Sequence, residues 1–147
     1  MLNLGLSVFS RNKNKLKKAV FRIPSQIEYL RKASSRILDA LASRNVPETT
    51  LFNIRLCVEE AVRNAIVHGN HCDKNLSVTV TYWAEGRKFF MEVADEGKGF
   101  DHRRLPDPTD SEHILRNSGR GVYLIRKLMD KVEFSETGNS IRMVKHL

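Results

Sequence analysis

Between Leu51 and Gly69, apolar residues recur at Leu51, Ile54, Val58, Ala61, Val62, Ala65 and Ile66, the three-and-four spacing of a helix with one buried face. Glu60, Asn64 and His68 fall four apart in the same stretch. At roughly 100° per residue, each is rotated only about 40° from the last, so the three form a column along one side. That column borders the apolar seam. An ordinary surface helix keeps its carboxylates and amides on the far side, in water. A chain built around this helix is therefore expected to have a polar cleft where the helix meets its neighbour, with Gly69 stopping the helix. Asn64 can offer a neutral oxygen to a hard cation such as Mg²⁺, and Glu60, one turn away, can accept a proton. A plainer alternative is a solvated Glu60, a helix-ending Asn64 and a satisfied core His68.

From Leu76 the period changes to two. Leu76, Val78, Val80 and Tyr82 alternate with Ser77, Thr79, Thr81 and Trp83, as in a strand with one buried face. Glu85 and Gly86 form a hairpin turn, and the return strand sets Phe89, Met91 and Val93 against Phe90, Glu92 and Ala94. The same parity puts Asp95 on the side of Phe89, Met91 and Val93. If that side faces the helices, a carboxylate lies at the edge of the core and needs donors from the protein or a ligand. Gly97 and Gly99 follow without side chains, leaving room for a flat ligand near the backbone. Alternatively, Asp95 caps a turn and the glycines serve a loop of positive φ.

Elsewhere the chain reads as support. Ala19 to Ile23 has the content of a short strand closed by Pro24. Ser25 with Glu28 has the spacing of a capping box, opening a helix that buries Ile27, Leu30, Ile37, Leu38 and Leu41. Asn45, Val46 and Pro47 turn into the Glu60 helix. Residues 101 to 118 are a long connection that reads as a lid. Gly119, Arg120 and Gly121 precede an apolar pattern at Val122, Leu124, Ile125, Leu128 and Met129, a glycine-flanked helix start of the kind that binds anions. Two short strands, Lys131 to Ser135 and Ser140 to Lys145, meet at a turn of Gly138 and Asn139.

A chain of 147 residues with 41% hydrophobic content is one domain with a real core. Its net charge of +8 is uneven, because Arg11, Lys13, Lys15, Lys17 and Lys18 supply five charges with no acid among residues 1 to 19. Residues 1–18 are therefore read as a basic, solubilising or disordered arm and residues 19–147 as the folded domain. The arm has no aromatic residue interleaved with its basic ones after Phe9, so direct nucleic-acid binding is not expected. No apolar run approaches the roughly 18 residues of a membrane span, and the first ten residues lack the pattern of a signal peptide, which places the chain in the cytoplasm. Cys57 and Cys72 lack CxxC spacing, and His68, His71 and Cys72 fit no closed four-ligand zinc pattern.

The order of these parts is specific. ExxxNAxxHG at Glu60 to Gly69, DxGxGFD at Asp95 to Asp101, and Gly119-Arg120-Gly121 followed by LIRKLMD at Leu124 to Asp130 resemble the GHKL (Bergerat-fold) ATP-binding superfamily, over about residues 19 to 146. Within it the chain resembles the small anti-sigma-factor serine/threonine kinases. The resemblance implies an α/β two-layer sandwich, with a mixed, mostly antiparallel sheet covered on one face by three helices. It also implies ATP and Mg²⁺ as cofactors. Glu60 would be the catalytic general base and Asn64 the metal ligand. Asp95 would receive the adenine amino group, Gly97 and Gly99 would let the purine lie against the loop, and Gly119, Arg120 and Gly121 would cover the phosphates. His68 is given a structural role near the nucleotide. The glycine-threonine element of larger members is matched only loosely by Gly138, Asn139 and Ser140.

Such a protein would hold a sigma factor, or a similar regulator, away from RNA polymerase and phosphorylate a STAS-domain antagonist. The resemblance also implies a homodimer. The alternative is an ATP-gated partner switch that binds without significant kinase turnover. A histidine-kinase catalytic domain is less expected, since little sequence precedes the domain to carry a phospho-accepting helical hairpin, and gyrase-type or chaperone ATPases are longer.

Overall fold

The computed structural model describes residues 15–99 and 117–147. Five strands form one sheet: β1 (Lys15–Pro24), β2 (Ser77–Glu85), β3 (Lys88–Ala94), β4 (Lys131–Phe134) and β5 (Ser140–His146), in the spatial order β1-β2-β3-β5-β4. Three α-helices accompany them: α1 (Leu30–Leu41), α2 (Glu48–Asn64) and α3 (Asn117–Leu128). This is the expected α/β two-layer sandwich. Within it, every described pairing is antiparallel, so the parallel component of a mixed sheet is absent among the described residues. The reason lies in the last hairpin. The chain leaves β3, passes through α3 to β4 at the edge, and only then fills the gap with β5, so no two parallel strands become neighbours.

The period of two at residues 76–94 sets the inner face of the sheet. Val78, Val80, Tyr82 and Ala84 are buried on β2, and Phe89, Met91 and Val93 on β3. Register then aligns Phe21, Val80, Val93, Ile141 and Phe134 in one row across all five strands. A second row runs Ala19, Tyr82, Met91, Met143 and Val132. The helices press Ile37, Leu41, Ile54, Val58, Val62 and Ile125 onto these rows, all fully buried. On the opposite face, Trp83 and Phe90 stack with ring centroids 5.0 Å apart, and Lys18 lies 4.7 Å over the Trp83 ring.

Several local expectations are corrected. Ser25 does not cap a helix: its Oγ donates to the Leu76 carbonyl at 2.8 Å, tying the end of β1 to the start of β2. A 3-10 turn, Ile27–Tyr29, leads into α1 with no side-chain cap, and Ile27 is 41% exposed rather than buried. Asn45 takes the left-handed conformation (φ 54°) that reverses the chain before α2. Gly69 does not end the helix by a left-handed cap. Instead α2 passes directly into a π-helical turn, Ala65–Gly69, closed by Asn70 N–H donating to the Ala65 carbonyl at 2.8 Å. The left-handed residues come later, at His71 (φ 53°) and Cys72 (φ 58°). Cys57 is buried and unpaired, and burial pushes its thiol pKa up to about 12. Among the described residues, no helix is long and apolar enough to cross a membrane.

The folded region reaches further back than position 19. Lys15 and Leu16 already pair with Glu85 and Ala84, with an irregularity before Ala19. The rest of the basic arm and the expected lid lie outside the described residues, apart from Asn117 and Ser118 in α3. Deleting residues 1–14 is expected to leave thermal stability unchanged. Deleting 1–18 should lower stability by at least the ~0.5–1 kcal/mol of an exposed cation–π contact such as Lys18 with Trp83. Paired denaturation curves check both.

Candidate functional site

A hollow of about 280 Å³ opens between the end of α2 with its π turn, the start of α3 and the β3 and β5 ends of the sheet. Asn64, His68 and Gly69 line it from the helix side, and Val93, Asp95, Gly99, Ser140 and Ile141 from the sheet side. Its walls are largely apolar, with Ala61, Ala65, Val122 and Phe134 completing them. A flat, mostly apolar ring with polar edges suits such a space.

Asp95 stands at the polar rim because it continues the inward parity of Phe89, Met91 and Val93 one step past β3. Its N–H donates to the Asn139 carbonyl at 2.9 Å, anchoring it to the β4–β5 turn. Its Oδ1 accepts the Gly97 N–H at 2.8 Å. Burial pushes the carboxyl above its usual range, while the Gly97 hydrogen bond and the nearby His71 pull it back down.

The glycines answer to close neighbours around this carboxylate and around Glu60 and Asn64. A Cβ on Gly69 would run into the Asp95 carboxyl, and one on Gly97 would meet the Gly69 carbonyl and lie 3.0 Å from Asp95 Oδ1. Gly99 combines a φ of 79° with a position against the Thr137 carbonyl. Gly121 lies where a Cβ would be 2.7 Å from Glu60 Oε2 and 3.1 Å from Asn64 Nδ2. Close backbone approach, rather than turn conformation, requires glycine at 69 and 97.

The structure thus brings Asn64, Asp95 and Gly99 to one hollow and sets Gly97 immediately behind Asp95. Glu60 does not form part of the wall. It sits one helical turn before Asn64, against Gly121, with Arg63 Nε 3.9 Å from its Oε1. Gly119, Arg120 and Gly121 are within α3 rather than ahead of it, and Arg120 is exposed. His68 is exposed at the mouth, and Ser140, matched only loosely in sequence, is a wall residue whose Oγ donates to Glu92 at 3.2 Å.

The donor set bears on a cation. Among the described residues, no three His, Cys, Asp or Glu side chains gather to hold a metal. A Mg²⁺ held here would take Asn64 as a protein ligand and most of its oxygens from phosphates and water, the usual habit of that ion. Sequence reasoning missed Gly69 as a contact of Asp95, Asn139 as its anchor, and Asn70, whose buried amide accepts the Glu96 N–H.

Comparisons with known proteins agree with one another. Residues 23–145 match the family model described as the histidine kinase-like ATPase domain. Curated relatives include the serine-protein kinase RsbW of Staphylococcus aureus (strain MSSA476), 25% identical over 134 residues that cover 86% of this chain and 84% of that protein. The serine-protein kinase RsbW of Bacillus subtilis (strain 168) is 26% identical over 133 residues, covering 86% and 83%. A solved structure of the RsbU and RsbW domains of Rv1364c from Mycobacterium tuberculosis superposes with a TM-score of 0.57 at 15% identity. It covers 88% of this chain and 31% of that longer one, a likeness of fold.

The raised Asp95 pKa has a signed consequence. Between its unfolded and its higher folded value, the native state binds more protons than the unfolded state, so stability falls as pH rises through that window. Asp95→Asn is therefore expected to stabilise the ligand-free protein at neutral pH. That advantage should shrink as pH falls through the folded value and vanish near the unfolded one. Denaturation midpoints of both proteins from neutral to acid pH test it.

Proposed function

Since this chain belongs to the histidine kinase-like ATPase domain family, we propose that it is an ATP-dependent protein serine/threonine kinase of the anti-sigma type. In this reading it holds a sigma factor or similar regulator and phosphorylates a STAS-domain antagonist. The reading draws on the serine-protein kinases among its relatives. The observation that carries it is the placement of Asn64 and Asp95 on opposite walls of one hollow, with Glu60 a single turn behind Asn64.

Each residue has a task that its position suits. Asp95 accepts the adenine amino group, a second donor for its half-buried carboxylate beside the Gly97 N–H. Val93, Val122, Phe134 and Ile141 enclose the purine. Asn64 would offer its amide oxygen to a Mg²⁺ accompanying the triphosphate, a cation that would supply neutralisation of phosphate charge when bound. Arg120 and the backbone N–H of Gly119, in the first turn of α3, would face the phosphates, and Gly121 lets that helix approach Glu60 and Asn64. Glu60 takes the proton of the partner's serine or threonine hydroxyl. As it does so, the hydroxyl oxygen bonds to the γ-phosphorus, the bond to the bridging oxygen breaks, and ADP departs. Positioning supplies most of the acceleration in such a transfer. Dimerisation and a cytoplasmic setting are part of the same proposal.

Glu60→Gln is expected to retain ATP binding and to lose phosphotransfer to a STAS partner by about 100-fold or more, as for loss of a general base. Labelled ATP with the purified partner measures it. Transfer at the wild-type rate would refute the base assignment, while a wild type that binds ATP and never transfers phosphate would favour the partner switch without turnover. Gly121→Ala gains helix propensity of roughly 1 kcal/mol yet crowds Glu60 and Asn64. It is expected to keep or raise stability and lower phosphotransfer on the order of 10-fold.

A further inference from the structure

Buried polar side chains among the described residues are Ser25, Ser34 and Asn70, each 1% exposed. Ser34 is satisfied locally, by the Arg31 carbonyl and Glu59. Asn70 is different, because its amide joins three separate segments. Nδ2 donates to Ser25 Oγ at 2.8 Å and to the Ser77 carbonyl at 3.0 Å, and Oδ1 accepts the Glu96 N–H at 2.8 Å. Only this orientation of the amide works, since the Glu96 N–H needs an acceptor and the Ser77 carbonyl a donor. Ser25 follows β1, Ser77 opens β2, and Glu96 is the residue after Asp95. A second link runs beside it, with Ser77 N–H donating to Glu96 Oε2 at 2.6 Å.

These bonds surround Asp95 from both directions of the chain. Gly69, which precedes Asn70, packs against the Asp95 carboxyl. Glu96, which Asn70 holds, is followed by Gly97, whose N–H binds Asp95 Oδ1. Without the amide, the Glu96 N–H and the Ser77 carbonyl would lose partners in a part-buried place, and the segment carrying Asp95 would be held less tightly, by the Asn139 carbonyl and the Ser77–Glu96 link.

We infer that Asn70 is a positioning residue for nucleotide selection, holding Asp95 where it favours a purine with an exocyclic amino donor, adenine, over one with a carbonyl at that edge, guanine. The inference rests on the proposal that Asp95 receives the adenine amino group. A carboxylate fixed in place rewards the donor and repels the carbonyl. One that can swing away does neither, so Asn70 acts on the ratio of affinities rather than on triphosphate binding as such.

Calorimetric titration of the full chain with Mg-ATP and with Mg-GTP tests this, using wild type, Asn70→Ala, Asn70→Asp and Ile37→Val. Wild type should prefer ATP. Asn70→Ala should lose ATP affinity by about 10-fold or more, as is usual when a supporting hydrogen bond is removed, with GTP affinity little changed, so the preference collapses. Ile37→Val, a buried core change remote from the hollow, lowers stability but should keep the wild-type ATP-to-GTP ratio. Asn70→Asp preserves volume and an acceptor for Glu96 while removing the donors to Ser77 and Ser25. It should also lower the ratio, and it carries the test if Asn70→Ala does not fold. A folded Asn70 variant with the wild-type ratio would overturn the inference while leaving the nucleotide site intact. Wild type binding both nucleotides equally would overturn the role of Asp95 and the inference with it, and wild type binding neither would overturn the nucleotide site itself.

Discussion

A half-buried carboxylate at the rim of an apolar hollow is the constraint to which the rest of this fold answers. Asp95 arrives there by strand parity alone, since the alternation that buries Phe89, Met91 and Val93 cannot turn the next inward position outward without breaking the ladder. Leaving a charged group at such a place is unfavourable unless donors are supplied. The fold supplies one fixed donor, the Gly97 N–H, and otherwise accommodates the carboxyl by removing side chains around it. Gly69 is a consequence of that acid, and Gly97 chiefly of the Gly69 backbone that lies against it.

The helix side is shaped to the same end. An α-helix continued through Gly69 at 3.6 residues per turn would keep the Glu60, Asn64 and His68 column straight. The π turn at Ala65–Gly69 widens the last turn instead, leaving His68 at the mouth and bringing the Gly69 backbone against the strand end. The chain then reverses through His71 and Cys72, two non-glycine residues at positive φ, a conformation that costs on the order of 1 kcal/mol each. Asn70, between the π turn and that reversal, gathers β1, β2 and the Asp95 segment through a single amide. Local irregularity is thus concentrated where the hollow forms, while the rows Phe21 to Phe134 and Ala19 to Val132 remain regular behind it.

Periodicity made most of this legible. The change from three-and-four spacing to alternation locates α2, β2 and β3, and parity alone places Asp95 at the core edge. Gly99, Asn64 and Asp95 were singled out and meet at the hollow. What the sequence hid were relations between segments distant along the chain. Ser25 with Glu28 had the spacing of a capping box, yet the hydroxyl is drawn to Leu76, 51 residues away. Gly69 read as a helix stop because glycine at a helix end usually is one, and only the approach of Asp95 reveals its reason. The start of β1 at Lys15 was masked by charge, because lysines on the open face of an edge strand look the same as lysines in a solvated tail.

Co-crystallisation with Mg²⁺ and a non-hydrolysable ATP analogue tests the central claim most directly. The adenine amino nitrogen is expected within about 3 Å of an Asp95 carboxylate oxygen, with the metal on the Asn64 amide oxygen and the phosphates running toward the start of α3. A nucleotide seated elsewhere, or one whose adenine turns its amino edge away from Asp95, would contradict it.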